Sequence, residues 1–151
     1  MNDVHFSSKS NEWETPIEFF NKLNEEFHFT LDVAATPENA KCSRYFTVTE
    51  DGLTQDWSKD ICWMNPPYGY SVGKWIKKAM RSADHGATVV ALIPAKTETR
   101  WWAEFWDYEK HRPIDGVEVR FVFGRIQFGN SGINAPFPNA VVIFRQEKRG
   151  C

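Results

Sequence analysis

The tetrad Asn65-Pro66-Pro67-Tyr68 holds the residues whose order best suggests chemistry, and it follows the short apolar run 61–64. The Asn65 side chain offers a carbonyl that accepts a hydrogen bond. The prolines lack backbone N–H groups, so their carbonyls face a ligand without competing donors, and their fixed φ stiffens the turn. Tyr68 offers a flat ring for stacking. Together these groups can hold a planar NH2, with one proton on the Asn65 side chain and the other on the Pro66 carbonyl.

An amine held in this way becomes nucleophilic, because the two hydrogen bonds draw its lone pair out of conjugation and aim it at an electrophile. Alkylation of an exocyclic amine, such as that of adenine, requires this, and it proceeds by orientation and electrostatics without a strong base. The alternative is a strand-terminating turn with a packed tyrosine, since Pro-Pro is common in turns. The ordered tetrad after an apolar strand favours the chemical interpretation.

The elements that position the tetrad are predicted from hydrophobic periodicity and capping signals. Helices are expected over 15–27, 71–83 and 97–110. For the first helix, Thr15 is the expected N-cap, Pro16 takes the first helical position, and Glu18 completes a capping box. Strands are expected over 29–33, 61–64, 87–93, 117–123 and 140–145, with a further short one near 45–48. This order predicts a three-layer α/β domain with a mainly parallel sheet and an antiparallel strand near the C-terminus.

Length and composition exclude several classes of protein. The 151 residues fit one domain, of which residues 1–12 are expected to form a loose lead-in. No apolar run approaches the ~20 residues of a membrane span, and the N-terminus has no hydrophobic signal region, so a cytoplasmic protein is expected. The three cysteines form no C-x-x-C pair and have no histidine at ligand spacing, so we expect neither a disulfide framework nor a metal site.

Charge is distributed unevenly along the chain. Residues 1–60 carry five Lys/Arg and twelve Asp/Glu, a net charge of −7, whereas residues 61–151 carry thirteen and eight, a net charge of +5. The split is compatible with one acidic and one basic face. Charge alone favours two ordinary solvated faces.

Polar residues follow three of the predicted strands. Asp32 ends the first strand, the tetrad ends the second, and residues 94–100 follow the third. Asp56 and Trp57 stand in a loop just before the strand of the tetrad. Ligands of open α/β sheets bind at the carboxyl ends of the strands, so one crevice is expected to collect these groups.

Seven phrases in a fixed order resemble the small phage-type DNA N6-adenine methyltransferases, the phage Dam family, over roughly residues 13–144. The phrases are WETPIEFF, FTLDVAATPENAKCSRYFT, DGLTQDW, NPPYG, LIPAKTETRWW, RFVFGRIQF and APFPNAVVIF. The resemblance implies a Rossmann-like methyltransferase fold that uses S-adenosylmethionine to methylate the N6 amine of adenine in DNA. Only about thirty residues separate Asp32 from Asn65, so one strand of the common fold is expected to be absent or vestigial.

The resemblance also implies roles for matching positions. The tetrad Asn65, Pro66, Pro67 and Tyr68 corresponds to the catalytic motif, and Asn65 also borders the cofactor. The other implied cofactor-binding residues are Trp13, Thr15, Pro16, Asp32, Ala34, Ala35, Asp56 and Trp57. The usual Gly-x-Gly of the cofactor loop is missing, and small alanines stand in its place. Glu50 and Asp51 are the two candidates for the carboxylate that holds the ribose.

A DNA substrate implies that the target adenine is flipped out of the duplex. The cations expected to contact DNA are Lys96, Arg100, Arg120 and Arg125, and the loops expected to read the target lie around 95–116 and 124–139. The chain leaves no room for a separate recognition domain, so a monomer or a weak homodimer is expected to read a short sequence.

Two alternatives stay open from the sequence. The same chemistry suits another planar amine, namely cytosine N4, adenine in RNA or a protein glutamine. A different class is a non-catalytic DNA-binding protein built on a decayed methyltransferase fold.

Overall fold

The computed structural model of the chain describes residues 14–129 and 134–146, and its centre is a five-stranded sheet. The strands of this sheet are β1 (Leu31–Asp32), β2 (Ile61–Met64), β3 (Thr88–Pro94), β6 (Val117–Phe121) and β7 (Asn139–Phe144). Their spatial order is β1-β2-β3-β7-β6; β1, β2 and β3 are parallel, and β7 runs antiparallel to both of its neighbours. The predicted mainly parallel sheet with an antiparallel strand near the C-terminus is thereby confirmed.

The two faces of the sheet are covered by different elements. Alternate residues of β3 point to opposite faces, so Val89, Ala91 and Ile93 join one apolar cluster while Val90 and Leu92 join the other. Helix α2 (Val72–Asp84) buries Trp75, Ile76, Ala79 and Ala83 in the first cluster, and helix α1 (Ile17–Phe27) buries Phe20 and Phe27 in the second. Coverage of both faces explains why β3 is an uninterrupted apolar run.

Little strand pairing lies beyond β1, which is an edge strand of the sheet. Within the described residues, the strand predicted near 45–48 is reduced to one parallel bridge between Asp32 and Tyr45. The polypeptide between β1 and β2 otherwise consists of turns and a short 3-10 helix, Gly52–Thr54. Turns and a single bridge therefore stand where the sequence predicted a short strand.

The capping box predicted at the start of α1 is wrong. Pro16 is the N-cap, the helix begins at Ile17, and the N-cap makes no side-chain hydrogen bond. The Thr15 side chain is buried, and its hydroxyl accepts a hydrogen bond from the Asn65 amide instead. This long-range partner outweighs the local capping preference of threonine.

The helix predicted over 97–110 is also wrong. The segment forms a 3-10 helix, Trp102–Glu104, followed by a two-stranded ribbon of β4 (Trp106–Asp107) and β5 (Arg112–Pro113). The Thr99 hydroxyl accepts a hydrogen bond from the Trp102 backbone N–H at the start of the turn. Trp102 and Phe105 are both buried, and the Phe105 carbonyl accepts a hydrogen bond from the Ile114 N–H at 2.9 Å where a continuing helix would use Glu109.

Within residues 14–129 and 134–146, no helix has the length and apolar character that crossing a membrane demands. The same residues contain no cluster of three or more His, Cys, Asp or Glu side chains able to hold a metal ion.

Candidate active site

A cavity of about 950 Å³ opens at the carboxyl ends of β1, β2 and β3. Parallel strands bring their carboxyl ends to one edge of the sheet, so residues distant in the chain meet there. The walls include Glu14, Thr15, Asp32, Ala34, Ala35, Lys41, Asp51, Gly52, Asn65, Pro66, Pro67, Tyr68, Lys96, Trp101 and Phe137. The cavity therefore joins the predicted tetrad to four predicted cofactor-binding residues, namely Thr15 before α1, Asp32 at the end of β1, and Ala34 and Ala35 just after it.

One branch of the Asn65 amide is hydrogen-bonded to Thr15. Its Nδ2 donates a hydrogen bond to the Thr15 hydroxyl at 3.0 Å, across fifty residues of chain. Because the nitrogen is engaged there, the other branch of the amide is the carbonyl oxygen, which is an acceptor. Pro66 is buried and Pro67 is exposed, and both line the cavity beside Asn65.

The ring of Tyr68 forms part of the cavity wall and is held at its far end. Its hydroxyl donates to the Leu92 backbone carbonyl at 3.1 Å, and Phe128 and Phe137 approach the ring edge-on, with centroids 6.2 and 5.5 Å away. Burial raises the pKa of the Tyr68 phenol far above its ordinary value, so the phenol stays neutral. The tyrosine is thus a fixed aromatic surface and not an acid or a base.

Charged groups occupy the cavity wall near the end of β1. The Asp32 carboxylate accepts backbone N–H bonds from Ala34 at 3.3 Å and Lys41 at 3.0 Å, yet burial raises its pKa to about 6. The Lys41 ammonium lies 3.4 Å from a Glu14 carboxylate oxygen, and its side chain is only 9% exposed. Sequence reasoning missed this pair, because no local pattern links residues 27 positions apart.

A tight turn closes the cavity next to the Val33 backbone. Asp51 adopts a left-handed backbone with φ 57°, and its carboxylate accepts the Leu53 N–H at 3.2 Å. Gly52 is buried so closely that an added Cβ would lie 2.2 Å from the Val33 carbonyl oxygen. Of the two candidates for the ribose carboxylate, Asp51 lines the cavity and Glu50 instead accepts bonds from Thr47.

The structure does not bring Asp56 and Trp57 to this cavity. The Asp56 carboxylate is exposed and accepts the Ser58 N–H at 2.9 Å, a hydrogen bond that lowers the pKa of Asp56. Trp57 is buried against Trp75, and its indole N–H donates to the Gly52 carbonyl at 2.9 Å. Trp57 is thus part of the core, and the nearby turn at Asp51 and Gly52 lines the cavity.

The remaining predicted residues separate into different regions. Pro16 caps α1 outside the cavity wall, and Trp13 lies outside the described residues. Lys96 lines the cavity, and Arg100 is exposed shortly after it. Arg125 is exposed and donates to the Ala135 carbonyl at 3.2 Å; part of its predicted reading loop, residues 130–133, lies outside the described residues.

Arg120 is engaged elsewhere. Its guanidinium contacts Glu26 on α1 at 2.7 Å and Glu118 on β6 at 2.6 Å. These hydrogen bonds raise the pKa of Arg120 and lower those of both glutamates. Because α1 covers this part of the sheet, Arg120 joins a surface ion-pair network and does not line the cavity.

Comparison with known proteins gives a consistent result. A family described as DNA N-6-adenine-methyltransferase (Dam) matches residues 5–146. The chain is 34% identical to a DNA N-6-adenine-methyltransferase of Haemophilus phage HP1 (strain HP1c1) over 92 residues, which cover 60% of this chain and 53% of the relative. It is 32% identical to a protein of the same description from Escherichia phage T1, covering 91% of this chain and 64% of the relative. The chain thus spans about half to two thirds of the length of these relatives.

Proposed function

Because the chain belongs to the DNA N-6-adenine-methyltransferase (Dam) family, we propose that it transfers a methyl group from S-adenosylmethionine to the N6 amine of adenine in DNA. The supporting observation is the tetrad at the end of β2, where a fixed amide and a fixed aromatic ring share one wall of a large cavity. In this proposal the domain has a reduced Rossmann-like, three-layer architecture.

The target amine would be activated by position. The Asn65 side-chain oxygen and the Pro66 carbonyl accept its two protons, and Tyr68 stacks on the purine ring. The Asn65 Nδ2 proton is donated to the Thr15 hydroxyl, which leaves the side-chain oxygen as the acceptor for the amine. The lone pair then forms the new nitrogen–carbon bond, and the nitrogen sheds one proton to water.

The other part of the cavity fits S-adenosylmethionine in chemistry and size. When bound, this cofactor supplies an electrophilic methyl group on a sulfonium sulfur. Its amino-acid end carries one carboxylate and one ammonium, and the cavity wall offers the Lys41 ammonium and the carboxylates of Glu14 and Asp32. Small side chains at Ala34 and Ala35 leave room for close approach, and Asp51 is an acceptor for ribose hydroxyls.

Replacing Lys41 with methionine tests this assignment. We expect Lys41→Met to weaken S-adenosylmethionine binding about tenfold or more, as expected when a charge-assisted hydrogen bond is lost. Binding of 5′-methylthioadenosine, which lacks the amino-acid end, should stay unchanged. Isothermal titration calorimetry measures both affinities.

A matched control separates this effect from general damage. Lys22 is exposed on α1 and does not line the cavity, so Lys22→Met should bind both compounds like the wild type. Equal weakening of both compounds by Lys41→Met would contradict a specific contact with the amino-acid end.

Asp32 predicts a pH dependence of cofactor affinity. Its pKa is about 6, so the carboxylate is protonated below that pH and ionised above it. At pH 7 and below, S-adenosylmethionine carries a net positive charge and favours the ionised form, so its affinity should be about tenfold weaker at pH 5 than at pH 7. Calorimetry from pH 5 to 8 measures this slope, and Asp32→Asn should flatten it. A wild-type affinity that is equal at pH 5 and pH 7 would contradict this role.

DNA would approach the open side of the cavity, where Lys96 and Arg100 offer exposed cations for phosphate contacts. The target base must leave the stack to reach Tyr68, and its flipping is part of this proposal.

Nucleoside analysis of DNA from cells that express the protein tests the proposed function. We expect N6-methyladenine, and none from cells expressing Asn65→Ala. Detection of N4-methylcytosine in DNA, or of methylation confined to RNA or protein, would show that the acceptor is not adenine in DNA. A wild-type chain that fails to bind S-adenosylmethionine would indicate a non-catalytic DNA-binding protein.

A further inference from the structure

We propose that Asn139 is a positioning residue that locks the stacking ring of Tyr68, an inference that rests on the proposed function. Asn139 is the first residue of β7 and is only 1% exposed. It does not line the cavity, so any effect on the reaction must pass through a neighbour. That neighbour is the Tyr68 hydroxyl.

Three hydrogen bonds connect the Tyr68 hydroxyl, the Asn139 side chain and strand β3. Asn139 Nδ2 donates to the Ile93 carbonyl at 3.2 Å and to the Tyr68 hydroxyl oxygen at 3.4 Å, and the hydroxyl donates to the Leu92 carbonyl at 3.1 Å. The Ile93 carbonyl only accepts hydrogen bonds, so it fixes which branch of the Asn139 amide carries the nitrogen. The hydroxyl is thereby hydrogen-bonded to two neighbouring strands, β3 and β7. These three hydrogen bonds among Tyr68, Asn139 and β3 are called the lock.

The side-chain oxygen of Asn139 lowers the free energy of unfolding. This Oδ1 atom is buried and has no hydrogen-bond partner among the residues that the structure describes. A buried carbonyl left without a partner is destabilising, whereas an apolar side chain of similar size carries no such penalty. Stability of the sheet alone therefore does not account for asparagine at this position, while restraint of Tyr68 does.

The lock completes the restraint of the ring. The stiff Pro66-Pro67 turn holds the backbone end of Tyr68, and Phe128 and Phe137 hold the ring edges. With the hydroxyl fixed as well, the ring loses no rotamer freedom when a base stacks on it. Asn139 thus prepares the surface on which the target purine lies.

Three variants test the lock, namely Asn139→Val, Tyr68→Phe and the double variant. Each single variant should lower kcat for DNA methylation about fivefold to tenfold, the value of one or two hydrogen bonds. Because both changes break the same lock, the double variant should fall no further. S-adenosylmethionine affinity should not change, and Asn139→Val should not lower the free energy of unfolding.

A spectroscopic measurement reports on the lock without the reaction. The Tyr68 hydroxyl proton should exchange slowly with water in NMR spectra of the wild type and rapidly in Asn139→Val. With 2-aminopurine in place of the target adenine, the fluorescence quenching that stacking causes should also be reduced in this variant. Asn24→Ala is the control, since Asn24 bonds the Phe29 N–H away from the cavity and should leave both signals unchanged.

Unchanged hydroxyl exchange and unchanged kcat in Asn139→Val would overturn the lock while leaving the proposed function intact. A wild type that shows slow exchange but methylates no DNA would contradict the proposed function and leave the lock supported.

Discussion

Asn65→Ala is expected to lower the rate of DNA methylation at least about 100-fold, which is the usual loss when one preorganised hydrogen-bonding group is removed from a reacting centre. In the proposed mechanism, the variant loses the acceptor that draws the amine lone pair out of conjugation. S-adenosylmethionine should still bind within a few-fold, because Lys41, Glu14 and Asp32 remain in place. Single-turnover kinetics with labelled cofactor measure the rate, and calorimetry measures the affinity.

Asn65→Asp is the matched variant. It keeps an acceptor oxygen at the same place, and the Thr15 hydroxyl can rotate to donate to the new carboxylate. We expect this variant to retain much more activity than Asn65→Ala. Equal loss of methylation and cofactor binding in Asn65→Ala would show that Asn65 serves the cofactor and not the amine.

The second large effect is expected at Gly52. A Cβ at this position would lie 2.2 Å from the Val33 carbonyl oxygen and 3.2 Å from the Trp75 ring. The backbone contact cannot be relieved by a side-chain rotation, so Gly52→Ala should lower the free energy of unfolding by about 3 kcal/mol, at the upper end for overpacked sites. Denaturant titration followed by tryptophan fluorescence measures this change.

Gly73 provides the comparison for Gly52. It lies within α2, and an added Cβ would meet only the Trp101 Cβ at 3.4 Å, an ordinary contact. Gly73→Ala should therefore leave stability unchanged or raise it by up to about 1 kcal/mol, because alanine favours helix. Equal destabilisation by the two substitutions would mean that the turn at Gly52 adapts more readily than its contacts indicate.

Local signals predicted the central strands well. The Asn-Pro-Pro that follows residue 64 predicted the end of the strand 61–64, and the length of the apolar run predicted the strand 87–93. The structure places β2 and β3 within one residue of those ranges. Placing the tetrad at the cavity required only the rule that strand ends meet at one edge. These features depend on residues adjacent in the chain.

The errors came from interactions between distant residues. Thr15 has a capping pattern, but its partner is Asn65. Lys41 and Glu14 form their pair only after the loop beyond β1 has folded. Within DGLTQDW, Asp56 was predicted to contact the cofactor's adenine and Asp51 was one of two candidates for the ribose; only Asp51 lines the cavity, and Trp57 is buried in the core. The glycine after Asp51 was the usable signal, because glycine marks close backbone approach.

The single bridge between Asp32 and Tyr45 has a consequence for how this chain can change over time. The register of the central strands is fixed on the other side of the sheet, by the pairing of β3 with β7. Exposed positions of the segment between β1 and β2 that lie outside the cavity wall, such as Glu38 and Thr49, can therefore gain or lose neighbours without shifting that register. The exposed loops at this margin are free to diversify, while the Asn-Pro-Pro-Tyr turn beyond β2 keeps its place.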